Sequence, residues 1–185
     1  MSMESFQIAS VRPPTENYSL SISTHDYCPW GKCEFCPSLL FSESHQFRRR
    51  KLSNIKQDME NARTLRDYML EECSFSQVGI MKVITKHPEL KDCIFHLYHW
   101  HEVSREKTAF LGGANPLLYT RGFLSNTLRH LKETFPSIHR ITCYGRTRTA
   151  ARKGSHYFKG LHEAGLDTIH VGLESGSDKV LDYVK

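Results

Sequence analysis

Beyond residue 107 the sequence alternates between two periods, and this alternation restricts the fold more than any other feature of the chain. Residues 108–111 form a short apolar run that ends at Gly112-Gly113-Ala114-Asn115-Pro116. Phe123, Leu124, Thr127, Leu128 and Leu131 then fall at helical spacing until Pro136 stops them. Residues 138–144 read as a strand that ends at Gly145-Arg146-Thr147-Arg148, with a helix over 150–164 closed by Gly165. A further strand, 168–173, runs into Glu174-Ser175-Gly176, and Ser177 or Asp178 caps a last helix. Upstream, Tyr18, Leu20 and Ile22 alternate with Ser19, Ser21 and Ser23, as a strand over 18–23 would. Strand alternating with helix predicts an α/β chain of about four βα units with parallel strands. Right-handed crossovers then bring the C-terminal ends of all the strands to one edge, the edge that carries the active site in such sheets.

The first strand leads into Cys28-Pro-Trp-Gly-Lys-Cys33-Glu-Phe-Cys36-Pro37, a C-x4-C-x2-C triplet on a loop broken by Pro29, Gly31 and Pro37. Three thiolates at this spacing suit an inorganic centre, and soft sulfur donors favour iron–sulfur clusters or zinc. Structural zinc needs a fourth ligand, for which His25, His45 or Cys73 is available. A plant-type ferredoxin pattern needs a more distant fourth cysteine, Cys73 or Cys93. A three-cysteine cluster with one open iron needs neither. Purely structural cysteines are the remaining alternative.

The 185 residues suffice for one domain with its own core. Six cysteines without a visible secretory signal imply a reducing, cytoplasmic compartment and metal or redox chemistry. No run reaches membrane-spanning length, so no membrane association is expected. The formal net charge of +5 admits an anionic substrate or nucleic acid without calling for the latter. Residues 1–17 read as an extended polar lead-in, with Arg12-Pro13-Pro14 near its end. Arg48-Arg49-Arg50-Lys51 reads as a solvated charge run or a phosphate patch. Leu52, Ile55, Met59, Ala62, Leu65 and Met69 give one apolar stripe on a helix that Ser53 could cap. Residues 73–107 read as an irregular insert, in which His96, His99 and His101 among aromatics suggest packing, with a second metal site as the alternative.

Taken together, the cysteine triplet with Phe35, Gly112-Gly113 after the second strand and Gly172-Leu-Glu-Ser-Gly-Ser-Asp178 after the fourth resemble the radical S-adenosylmethionine superfamily. The segment with Arg12-Pro13-Pro14 and the cysteine loop resembles a bacterial subgroup. Three departures accompany the resemblance: one extra residue between the first two cysteines, Ala114 where the family often has an acid, and fewer βα units than its barrel. The resemblance implies a partial (β/α) barrel, with the chain reading as cut. It implies a 4Fe-4S cluster on Cys28, Cys33 and Cys36 whose fourth iron is chelated by S-adenosylmethionine. Electron entry, from a donor such as flavodoxin or ferredoxin, cleaves that molecule to methionine and a 5′-deoxyadenosyl radical, which takes hydrogen from a substrate. Gly112, Gly113, Ala114 and Asn115 would hold the methionine end by close backbone approach. Arg146 or Arg148 would pair with its carboxylate, Glu174 and Ser175 with ribose hydroxyls, and Phe35 would pack on adenine. A ferredoxin-like electron-transfer module and a non-catalytic cluster-binding remnant are the alternatives.

Overall fold

The computed structural model describes residues 3–36 and 46–184. Its strands are β1 (Leu20–Ser23), β2 (His25–Asp26), β3 (Arg48–Arg49), β4 (Thr108–Gly112), β5 (Arg140–Tyr144) and β6 (Thr168–His170). Its α-helices are α1 (Leu52–Cys73), α2 (Gln77–Lys86), α3 (Lys91–Ser104), α4 (Arg121–Thr134), α5 (Thr147–Ala150), α6 (Ser155–Glu163) and α7 (Asp178–Val184). The main sheet is parallel and runs in the order β1-β4-β5-β6, and β2 pairs antiparallel with β3 beside it. No helix among the described residues is long and apolar enough to cross a membrane.

The register explains which face is buried against helices. Leu20 lies opposite Ala109, which lies opposite Ile141; Ile22 lies opposite Leu111, then Cys143, then Ile169. Alternation places all of these on one face. They share a core with Ile55, Met59, Ala62, Leu65 and Met69 of α1, Trp100 of α3, Leu128 of α4 and Leu161 of α6. Ser21, Phe110, Thr142 and Thr168 are paired across the other face, where Tyr144 lies opposite His170. That face is largely polar. Below it Glu16 is fully buried, held by both guanidinium nitrogens of Arg140 (2.8 and 3.1 Å) and by the Ser19 hydroxyl (2.6 Å). Burial alone would raise the Glu16 carboxyl, but these bonds outweigh it and hold its pKa below the ordinary value.

The two edges of the sheet are finished differently. On β1 the Ser21 N–H donates to His96 Nε2 (2.9 Å) and the Ser23 N–H to the Gln7 carbonyl (3.0 Å). On the far side β6 has no neighbouring strand among the described residues, and Val171 and Leu173 beyond it are 47% and 76% exposed.

The α/β class and the parallel order of the four strands agree with the sequence reading. Residues 73–107 differ: they form α2, a 3-10 turn at Pro88–Leu90 and α3. Cys93, Ile94, His96, Leu97 and Trp100 are buried on one side of α3, so the histidine-rich stretch packs as a helix. The lead-in is extended, yet Phe6 and Ala9 are buried and Pro14–Glu16 is a 3-10 turn. Ser53 lies inside α1, whose cap is Lys51. The helix expected over 150–164 is interrupted before Gly154 into α5 and α6. The last strand stops at His170. Arg50 is not solvated: it donates to the Ser23 carbonyl (2.8 Å) and pairs with Asp58 (2.6 Å). Pro37 and His45 lie outside the described residues.

Candidate functional site

A cavity of about 470 Å³ opens at the C-terminal edge of the parallel sheet. Its wall is made by the loops that follow β2, β4, β5 and β6, together with Ala9, Ser10 and Val11 of the lead-in and Ser23 and His25. Cys28, Cys33 and Cys36 line it, as do Gly113 and Ala114, Arg146 and Arg148, and Glu174.

The cysteine loop reaches the cavity because β2 and β3 pair antiparallel and turn the chain across the end of β1. Tyr27 (φ 55°) and Gly31 (φ 59°) supply the left-handed turns. The Cys36 N–H donates to the Cys33 carbonyl (3.0 Å), which folds the last two cysteines toward each other. Two cations lie against the Trp30 ring, the Arg146 guanidinium 4.9 Å and the Lys32 ammonium 5.5 Å from its centroid. None of the six cysteines is joined in a disulfide.

Among the described residues, no three His, Cys, Asp or Glu side chains are gathered closely enough to ligate a single ion. A cubane cluster sets a different condition, because each thiolate takes a different iron. Three half-buried thiols on one cavity wall fit that donor set. The other possible ligands are engaged elsewhere. Cys73 Sγ donates to the Met69 carbonyl and Cys93 Sγ to the Phe6 carbonyl, and neither lines the cavity. Burial raises the Cys93 thiol and pushes Cys143 up to about 12, the reverse of what ligation requires. Both ring nitrogens of His25 are engaged, by the Asn115 N–H and the Thr24 hydroxyl. His96, His99 and His101 do not converge: His96 accepts from Ser21, His99 packs near Tyr18, and His101 stacks on Phe75.

The glycine loop also has a packing role within the chain. A Cβ on Gly112 would overlap Ala9, and one on Gly113 (φ +103°) would overlap the His25 ring. The missing side chains are therefore required by this chain's own packing. Gly113 and Ala114 face the cavity, while Gly112 and Asn115 do not. Asn115 is buried instead and braces the next loop, accepting from the Arg146 N–H (3.1 Å) and donating to Thr149 Oγ1 (2.8 Å). Ser175 also lies off the wall, its hydroxyl accepting from the Ser177 N–H (3.1 Å). Arg146 lies on Trp30, whereas Arg148 is exposed on the wall with no hydrogen-bond or ion-pair partner among the described residues. Phe35 lines the wall and is half exposed.

Sequence reasoning gave no role to Trp30 or Tyr144 on this wall, and weighed His25 only as a zinc ligand. Burial holds His25 down to about 4, with Asp26 opposing and Arg49 adding, so its ring is neutral. Burial, helped by Cys36, Glu174 and Glu16, pushes Tyr144 up to about 12. Tyr144 therefore offers the cavity a protonated phenol. Its position after residues 138–143 in strand alternation was the signal that could have found it.

Comparison with protein-family models, with curated proteins and with solved structures gave no match.

Proposed function

We propose that this chain is a radical S-adenosylmethionine protein in which Cys28, Cys33 and Cys36 hold a 4Fe-4S cluster and S-adenosylmethionine binds in the same cavity. One observation carries the reading. Three thiols, a glycine-loop backbone, two arginines and an acid come from separate loops, yet line one cavity at the C-terminal edge of a parallel sheet. The cavity size is within the roughly 300–1,000 Å³ of small-molecule sites.

Held by Cys28, Cys33 and Cys36 and by the cavity loops, the two groups would supply one-electron reductive cleavage and hydrogen-atom abstraction from a substrate. The chain's residues bind, orient and shield. The Gly113 and Ala114 backbone accepts from the methionine ammonium, and Arg148 pairs with its carboxylate through a planar, bidentate guanidinium. Glu174 accepts from ribose hydroxyls, and Phe35 gives adenine an apolar surface. Tyr144 donates a hydrogen bond to the substrate as a neutral phenol. Arg146, stacked on Trp30, keeps the cysteine loop against the β5 loop and restricts water. A flavodoxin or ferredoxin in a reducing cytoplasm would supply the electron.

The same reading takes the sheet as part of a (β/α) barrel. Its support is that strand order follows the sequence without reversal and that the apolar helix contacts gather on one face, leaving the polar face inward. The alternative ferredoxin reading lacks its fourth ligand, since Cys73 and Cys93 bond to carbonyls away from the cavity.

Anaerobic reconstitution tests the proposal. Each of Cys28→Ala, Cys33→Ala and Cys36→Ala should lose the cluster, while Cys73→Ala and Cys93→Ala keep it. With dithionite, the loaded wild-type chain should release 5′-deoxyadenosine from S-adenosylmethionine. A loaded chain that exchanges electrons and yields none is not this enzyme.

A further inference from the structure

His25 sits where three loops meet. The Asn115 N–H donates to its Nε2 (3.3 Å), so that nitrogen is the acceptor and the ring proton is on Nδ1. Nδ1–H then donates to Thr24 Oγ1 (3.0 Å), and the Thr24 hydroxyl donates onward to the Gly112 carbonyl (2.7 Å). The Thr24 N–H donates to that same carbonyl (3.1 Å). The ring is buried, with the Phe47 and Tyr119 rings 5.5 and 6.3 Å away between centroids. Gly113 is left-handed directly against it and leaves no room for any side chain.

Asn115 extends the linkage. Its side chain accepts from the Arg146 N–H and donates to Thr149, so the turn after β5 is tied to the glycine loop. His25 itself lies on the approach to the cysteine loop. One imidazole and one amide thus connect all three loops.

We propose that His25 is a positioning residue: it fixes the glycine loop and the β5 turn relative to the cysteine loop, and thereby presents the Gly113–Ala114 backbone and Arg148 to the methionine end of S-adenosylmethionine. The proposal rests on the function given above. An imidazole suits the task because it accepts at one nitrogen and donates at the other while uncharged. Its burial, which keeps it neutral, serves the same end. Gln at this position keeps an acceptor near the Asn115 N–H. Asn stops short of it, and Leu removes it.

The experiment compares wild type with His25→Gln, His25→Asn and His25→Leu. Without cluster, amide hydrogen exchange is measured at Asn115 and Arg146. With cluster, iron content is measured, and S-adenosylmethionine is titrated against the paramagnetic resonance spectrum of the reduced centre. His25→Leu and His25→Asn should exchange about tenfold faster at both amides and bind about tenfold more weakly, with iron loading unchanged. His25→Gln should restore most of both. Should His25→Leu not fold, His25→Asn against His25→Gln carries the same comparison. A responding wild type beside a His25→Asn chain that binds equally well overturns this proposal alone. A His25→Gln chain with normal exchange and iron but no recovered binding also overturns it. An iron-loaded wild type whose spectrum ignores S-adenosylmethionine overturns the functional reading, and this role with it.

Discussion

Arg146 and Arg148 share a wall but are held differently, and the difference predicts different losses. The face of Arg146 is on Trp30, while Arg148 has no partner among the described residues. Arg148→Ala should therefore weaken S-adenosylmethionine binding by about 1–3 kcal/mol, as for a lost charged hydrogen bond. Arg146→Ala should lose about 0.5–2 kcal/mol of cation–π contact, seen mainly as a less stable cysteine loop. Calorimetric titration separates the two, and equal binding losses would count against the assignment. Under the proposed function, Tyr144→Phe should leave iron loading and nucleotide binding intact while lowering turnover, because it removes only a cavity-lining hydroxyl. Lower in the sheet, Glu16→Ala should cost about 2–3 kcal/mol in urea unfolding. That is below the roughly 3–5 kcal/mol of a fully buried pair, because Arg140 is partly exposed. The cysteines, Arg148 and Glu174 were legible because they carry chemistry in a quotable pattern. His25 was not legible in this role, since its partner Asn115 lies far along the chain and only the folded sheet brings them together.

α3 bonds the sheet through His96, at the Ser21 N–H, and through Trp100, whose ring N–H donates to the Thr108 carbonyl (2.8 Å). His96 is buried and neutral, its pKa lowered to about 3 by burial first and then by Arg12 and His99. In the unfolded chain this imidazole takes a proton near pH 6.5, whereas in the folded chain it resists one until about 3. The unfolded state therefore binds more protons in that window, and stability falls as pH is lowered through it. His96→Gln should flatten the loss between pH 7 and 5.5 in urea titrations; parallel curves for variant and wild type would exclude His96 as its source. Element by element, α1 and α4 were readable because their apolar residues step cleanly by three and four. α3 was harder. Its buried positions include a histidine and a cysteine, while the aromatic Tyr98 is only partly buried, so polarity did not track burial. The break between α5 and α6 was hidden for a related reason: Gly154 costs only about 1 kcal/mol in a helix, too little to settle the matter from sequence.

At the scale of the whole molecule the sheet is asymmetric. Leu173 and Val171 are exposed beside the open β6, and unpaired strand edges with apolar neighbours invite association. The chain should therefore show a concentration-dependent rise in mass by light scattering, which Val171→Lys with Leu173→Lys should suppress; mass unchanged by the double variant would place the contact elsewhere. The β1 side cannot take part in the same way, since a histidine ring and the backbone of Gln7 already occupy its amides. Strand addition is thus vectorial. Among the described residues, a further strand from whatever chain finds its template at β6 and not at β1, so the sheet lengthens toward that side.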